Sequence, residues 1–163
     1  MADLRLIPDF PKKGVAFIDI TPKLLDKDDF SLIIEKMSKK IPKNTDYIIG
    51  IESRGYIFAS PIAEKLKLGF VPIRKKGKLP DELVYEQEYK KEYGVDTLCF
   101  PKNSSYEGKN FYIVDDILAT GGTLQACKEL IKQAKGNFVG AGVYINISNL
   151  NNENIDYIEE FEE

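Results

Sequence analysis

Histidine is absent from all 163 residues, and that gap removes a good deal of chemistry. Ser-His and Cys-His nucleophilic catalysis, histidine-ligated zinc and histidine proton relays are all excluded. Any proton transfer must run through carboxylates, lysine, tyrosine or water. Cysteine is scarce too. Cys99 and Cys127 are the only two, set among apolar neighbours without metal-ligand spacing, which reads as buried free thiols. No long basic block occurs and the formal charge is −3, which argues against sequence-independent nucleic-acid binding. Neither a signal peptide nor an apolar run long enough to span a bilayer is visible. A cytoplasmic protein with no membrane partner is therefore the expectation. What is present is ordinary for a globular chain: 43% hydrophobic and 30% charged residues. The length suits one domain, residues 1–163, burying about 68–70% of its unfolded surface.

The apolar pattern alternates between two kinds of segment. DDFSLIIEKMSKKI, residues 28–41, carries Phe30, Ile33, Ile34, Met37 and Ile41 at helical spacing, with Asp28 or Asp29 as the cap and Pro42 after the end. YIIGI, residues 47–51, is a short continuous apolar run, the mark of a strand buried on both faces. GYIFASPIAEKLKLG predicts a helix ending near Gly69, and FVPI another short strand. Residues 75–94 are polar, with Gly77, Pro80 and Gly94 but no convincing period, and so read as a long functional or disordered loop. FYIV, residues 111–114, predicts a buried strand, TLQACKELIKQAK an amphipathic helix, and FVGAGVYINI, residues 138–147, a further strand. Buried strands alternating with helices imply an α/β fold, a central mostly parallel sheet flanked by helices. Ligands in such sheets bind beyond the carboxyl ends of the strands, where the loops after Ile51 and Val114 both fall. The acidic, Asn-rich tail LNNENIDYIEEFEE reads as a surface strand or a frayed end, with no function assigned.

The segment YIVDDILATGGT, residues 112–123, carries the most chemistry. ATGGT joins a buried strand to the amino end of a helix, where backbone N–H groups lack partners and the helix dipole adds positive charge. Gly121 and Gly122 admit close approach of an anion, and Thr120 and Thr123 add hydroxyls, which together make a monophosphate nest. It is not a Walker loop, because no lysine follows the glycines, and the spacing also fails G-x-G-x-x-G. Asp115 and Asp116 stand directly ahead of it, where carboxylates would repel a lone phosphate. Such aspartates can merely cap a helix or close a turn. A ribose 5-phosphate would use both halves at once, its phosphate in the nest and its 2′ and 3′ hydroxyls on the carboxylates, shared with magnesium.

These residues resemble the phosphoribosyl pyrophosphate signature of the type I phosphoribosyltransferases. Four further segments, IPDFPKKGVAFIDITP, GIESRGYIF, VPIRKKGKLP and KKEYG, narrow the resemblance to the adenine phosphoribosyltransferase family, in the family's order over most of residues 7–127. The resemblance implies the type I phosphoribosyltransferase fold, with a small N-terminal hood at about residues 1–25 and a mobile lid loop at about 75–94. It implies transfer of the 5-phosphoribosyl group from phosphoribosyl pyrophosphate to adenine, giving AMP and pyrophosphate in purine salvage, with Mg2+ as cofactor.

The same resemblance distributes the roles. Asp115, Asp116, Ala119, Thr120, Gly121, Gly122 and Thr123 would bind ribose phosphate. Glu52, Ser53, Arg54, Arg74, Lys75 and Lys78 would bind pyrophosphate, with a cis peptide at Glu52–Ser53. Lys76 reads as merely solvated. Arg74 would reach a neighbouring subunit's site, which implies a homodimer. Glu92 would be the catalytic proton-transfer residue and Tyr93 would pack the lid. The backbone at Ala16 would read the adenine amine, Phe17 and Ile117 would sandwich the ring, and Arg54 would lie at its edge. Magnesium would be held mainly through the substrate, with Asp115 or Asp116 as the protein's share. Two positions depart from the family: Ile18 where a basic residue is common, and Asn146 where many members carry glutamate. Three rivals stand behind this reading: another base such as hypoxanthine, guanine, xanthine or orotate; a non-catalytic regulator on the same fold; and a phospho-acceptor receiver domain. The segments GVAF and EYG, the acidic balance and the position of the acidic pair argue against them in turn.

Overall fold

The computed structural model describes residues 4–10, 12–91 and 94–162. A two-stranded antiparallel ribbon opens the chain, β1 (Arg5–Ile7) on β2 (Phe17–Asp19). Two helices follow, α1 (Thr21–Leu25) and α2 (Lys27–Lys40). Then come β3 (Tyr47–Ile51), α3 (Gly55–Leu66), β4 (Gly69–Lys75), β5 (Val84–Lys91), β6 (Gly94–Pro101), β7 (Asn110–Leu118), α4 (Gly122–Gln133), β8 (Asn137–Ile147) and β9 (Asp156–Phe161). The main sheet has the order β5-β6-β4-β3-β7-β8-β9. Strands β4, β3, β7, β8 and β9 run parallel, and the β5–β6 hairpin joins antiparallel through Arg74↔Cys99. This is the α/β architecture with flanking helices that the alternating pattern predicts.

The core lies on both faces of the sheet. One cluster packs α4 on Ile49, Ile113, Ala141 and Val143; the other packs α2, α3 and the hood residues Ile18 and Ile20 on Ile48, Tyr112, Val114 and Tyr144. Both faces are covered, which is why β3 and β7 read as unbroken apolar runs. Cys99 and Cys127 are buried free thiols, as expected, and burial pushes the Cys127 thiol up.

Several boundaries differ from the pattern-based ones, each for a local reason. Helix α2 is capped not by Asp28 or Asp29 but by Asp26, whose carboxylate accepts from the Asp28 and Asp29 backbone N–H groups at 2.9 and 3.0 Å. Helix α3 stops at Leu66, ahead of Gly69, because Lys67 itself takes the left-handed conformation (φ 56°) and Leu68 N–H turns back to the Ala63 carbonyl at 2.9 Å. Strand β7 does not end before the aspartates but runs through them to Leu118.

The largest difference lies in residues 75–94. Instead of a structureless loop, β5 occupies residues 84–91 and pairs with β6. Tyr85, Gln87 and Tyr89 alternate toward α4, where both tyrosines pack on the core and Gln87 receives the Gln133 amide at 3.2 Å. Intervening Glu86, Glu88 and Lys90 hide that period-two signal. Of the two readings of the tail, the surface strand is the one observed, as β9. Tyr112 and Tyr144 donate their hydroxyls to Asp156 and Glu159 at 2.8 and 3.0 Å, fastening β9 to the sheet.

Candidate active site

The sheet reverses its winding between β3 and β7: the chain leaves β3 toward β4, whereas β7 leads to β8 and β9 on the other side. A ligand crevice belongs at the carboxyl ends of strands at such a switch point. Two loops meet there. Residues 52–54 follow β3 and contain a cis peptide at Glu52–Ser53, matching what the family resemblance implies. Residues 119–121 follow β7 and lead into α4. Gly121 has φ 84°, which only glycine adopts easily, and no side chain caps the helix. The first N–H groups of α4 therefore face the crevice. A cavity of about 130 Å³ lies here, lined by Asp115, Ile117, Ala119, Thr120, Gly121, Gly122 and Thr123 over an apolar floor including Ile113 and Val143.

The acidic pair is built by β7 and divided between two environments. Asp115 lines the cavity, and its Oδ1 accepts from the Asp116 backbone N–H at 2.9 Å. Asp116 is buried (5% exposed), and its Oδ2 lies 2.7 Å from Arg54 Nε without hydrogen-bond alignment, so this oxygen keeps acceptor capacity. Burial, then the neighbouring Asp116 charge, pushes the Asp115 carboxyl well above the usual carboxylate range. Burial also raises Asp116, against the opposing pull of Arg54.

Arg54 connects this pair to the hood. Its Nη1 donates to the Ile18 carbonyl at 3.4 Å and its guanidinium carbon lies 5.3 Å over the Phe17 ring. It thus lies over a face of Phe17. The Ile18 side chain is buried (3% exposed); in this chain the position serves core packing. On the hood ribbon, the Thr21 hydroxyl and backbone N–H, with Arg5, hold the Asp19 carboxyl down at about 2.

Of the cations expected around pyrophosphate, Arg74 stays beside its own chain's Glu52, 3.6 Å from Oε2, with its buried Nε lacking a hydrogen-bond partner. Glu52 Oε2 also accepts from the Lys75 backbone at 2.9 Å. The Lys75 ammonium pairs with Asp96 at 3.3 Å, and Lys78 and Ser53 are exposed at the rim. Lys76 is not merely solvated: it pairs with Glu86 at 3.0 Å, and that contact raises its pKa. Glu92 and Tyr93 lie outside the described residues.

Pattern reasoning missed Tyr89, Asp96 and Gly55. The Tyr89 hydroxyl donates to Asp96 at 3.4 Å and interacts with Thr123, so β5 is packed against the first turn of α4. Only the Tyr85/Gln87/Tyr89 alternation could have revealed this. Gly55 opens α3 against Asp115: an added Cβ would meet Asp115 Oδ1 at 2.7 Å and the Val114 carbonyl at 3.2 Å. Alanine would gain about 1 kcal/mol of helix propensity there, but overpacking costs about 1–3 kcal/mol. The carboxylate can rotate away; the Val114 carbonyl cannot. Gly55→Ala should therefore be neutral to destabilising in denaturant titrations and displace Asp115, lowering affinity for the ribose donor by about tenfold. A stabilised variant of unchanged donor affinity would refute the close-approach argument.

The crevice thus sets the Thr120–Thr123 turn and the start of α4 beside the acidic pair Asp115 and Asp116. Residues 23–156 match the phosphoribosyl transferase domain. Over 148 residues the chain is 47% identical to an adenine phosphoribosyltransferase of Halothermothrix orenii, covering 90% of this chain and 86% of that one. The crystal structure of adenine phosphoribosyltransferase from Thermoanaerobacter pseudethanolicus superposes with a TM-score of 0.90 at 39% identity, covering 97% of this chain and 95% of the other. The Saccharomyces cerevisiae enzyme, crystallised with an imino-altritol bisphosphate and adenine, gives 0.79 at 38% identity, covering 90% and 86%. The chain belongs to the adenine phosphoribosyltransferase family.

Proposed function

We propose that the crevice between β3 and β7 carries out the family's reaction with the following division of work. The chain is a pentosyl-transferring glycosyltransferase: it moves the 5-phosphoribosyl group from phosphoribosyl pyrophosphate to adenine, forming AMP and releasing pyrophosphate. The observation that carries the residue assignment is the acidic pair set directly against the nest at the start of α4.

The 5-phosphate sits on the backbone N–H groups of residues 119–123, with the Thr120 and Thr123 hydroxyls. Asp115 and Asp116 accept the ribose hydroxyls. Asp116 Oδ2, close to Arg54 but not hydrogen-bonded, is suited to that. Bond formation from adenine N9 to the anomeric carbon accompanies departure of pyrophosphate, so negative charge grows on the leaving group. Backbone groups of Glu52, Ser53 and Arg54, with Lys75 and Lys78, take up that charge. Arg74, whose Nε lies 3.6 Å from Glu52 Oε2 without a hydrogen bond, is an additional cation for an anion, whether in its own site or in a partner's across a homodimer. Adenine lies under the hood, read by the Ala16 backbone and held between Phe17 and Ile117 once Arg54 moves to its edge. The proton lost from adenine goes to Glu92, and the segment 75–94 closes over the site. Among the described residues no cluster of three or more carboxylates or thiols could hold a metal ion. Asp115 and Asp116 would be the protein's ligands to a magnesium ion. Such an ion would supply charge neutralisation for the departing pyrophosphate.

No helix among the described residues is long and apolar enough to cross a membrane, and a cytoplasmic location is part of the proposal. Incubation with phosphoribosyl pyrophosphate, magnesium and each of adenine, hypoxanthine, guanine, xanthine and orotate tests the assignment. AMP and pyrophosphate from adenine alone is the expected result. Turnover of another base would overturn the hood assignment. Donor binding without turnover of any base would make the chain a regulator. Sedimentation at several concentrations tests the homodimer.

A further inference from the structure

The segment after β8, to which the sequence assigns no role, wraps around the loop that precedes α4. Asn151 is at its centre. The two N–H groups of its Nδ2 are shared among the Ala119 carbonyl at 2.8 Å, the Ile147 carbonyl at 3.0 Å and Asn146 Oδ1 at 3.1 Å. Its Oδ1 accepts from the Glu153 backbone at 3.1 Å. One side chain thus ties the first residue of the loop to the end of β8 and fixes the turn that carries Glu153. Glu153 continues the brace. Its carboxylate pairs with Lys128 at 2.9 Å and accepts from Gln125, both on α4. Its Cγ would lie 3.3 Å from a Cβ at Gly121. Ile155, two residues on, forms part of the cavity wall. This segment holds the loop, and Tyr89 and the Lys90 carbonyl close on the first residue of α4, where a Cβ at Gly122 would meet that carbonyl at 2.8 Å.

We propose that Asn151 and Glu153 are positioning residues for the phosphate nest: they hold Ala119 and Gly121 where the backbone N–H groups converge on an anion, without touching substrate themselves. A nest of backbone donors works only in one conformation, because each donor must point at the same site. The Asn146 departure belongs to the same device. As a buried side chain, it presents its amide oxygen to Asn151, as a glutamate oxygen at that position could. The proposal rests on the assignment of residues 119–123 to the donor phosphate.

The test uses the full chain with Asn151→Asp, which keeps size but turns the N–H donors into a carboxylate oxygen repelled by the Ala119 and Ile147 carbonyls, alongside Glu153→Gln and a nest variant, Thr123→Ala. Steady-state kinetics with each substrate varied would be paired with thermal unfolding. Asn151→Asp should raise KM for phosphoribosyl pyrophosphate about tenfold, a loss the size of one well-made hydrogen bond. KM for adenine should stay within about twofold and the melting temperature within a few degrees. Glu153→Gln, which keeps a hydrogen-bonding end at a pair only 25% and 21% exposed, should give a smaller change of the same kind. Equal changes in both KM values, or none, would overturn the proposal. If Asn151→Asp fails to fold, Glu153→Gln decides by the same criterion. If Thr123→Ala raises the donor KM while both brace variants do not, only the brace fails; if none of the three raises it, the phosphate assignment itself fails.

Discussion

Replacing Asp115 and Asp116 together by asparagine should weaken binding of phosphoribosyl pyrophosphate by about a hundredfold or more, while leaving the empty protein no less stable at neutral pH. Hydrogen bonds to ionised carboxylates contribute about 1.5–3 kcal/mol each, and the ribose hydroxyls would lose two of them. Stability follows the opposite logic. Burial, with the Asp116 charge, pushes Asp115 well above its ordinary range, and burial raises Asp116. Each group thus binds its proton more tightly in the folded state than in the unfolded one. The corresponding stability is full below the unfolded value of about 3.9 and is lost as pH rises toward the folded value. Asparagine carries no such dependence. The double variant gives up the Asp116–Arg54 pairing, but Arg54 is more than a third exposed and can be hydrated, while the buried Asp116 position sheds the desolvation cost of its charge. Titration calorimetry with the donor and unfolding at several pH values check both halves. Parent-like donor affinity in the double variant would remove the aspartates from the ribose site.

Glu92→Gln should lower kcat by roughly 10²–10⁴-fold, the range for loss of a general acid–base group, with much smaller changes in either KM. The chain has no histidine, so a carboxylate is the natural candidate for a proton released near neutral pH. An enclosed site raises the pKa of such a group toward that range. Glutamine keeps the shape and a hydrogen-bonding end but cannot take the proton. Single-turnover measurements separate this effect from product release. A chemical step as fast as the parent's would dismiss Glu92 from proton transfer.

The parts of the site that were legible in the sequence are those written in contiguous residues. ATGGT after an apolar run announces a strand, a tight turn and a helix start, and the structure has each of them. The apolar runs at 47–51 and 138–147 are likewise strands, because burial on both faces leaves an unmixed signal. What escaped was assembled across the sheet. The contact of Arg54 with Phe17 and Asp116 spans three elements. The anchoring of Ala119 by Asn151 joins residues thirty-two apart. Strand β5 escaped because its outward residues are charged and only one face alternates. The cap at Asp26 was missed because three aspartates lie within four residues, and only geometry says which carboxylate reaches the N–H groups.

The sheet is open, and the strands at its two borders carry formal charge along their length. β5 presents Glu86, Glu88 and Lys90, and β9 presents Asp156, Glu159 and Glu160. Unpaired strand borders invite recruitment of further strands from other molecules, and charged side chains discourage it. At β9 all three charges are negative, so two such borders repel when brought together. Formal charge at the two ends of the sheet thus works against fibrous self-association.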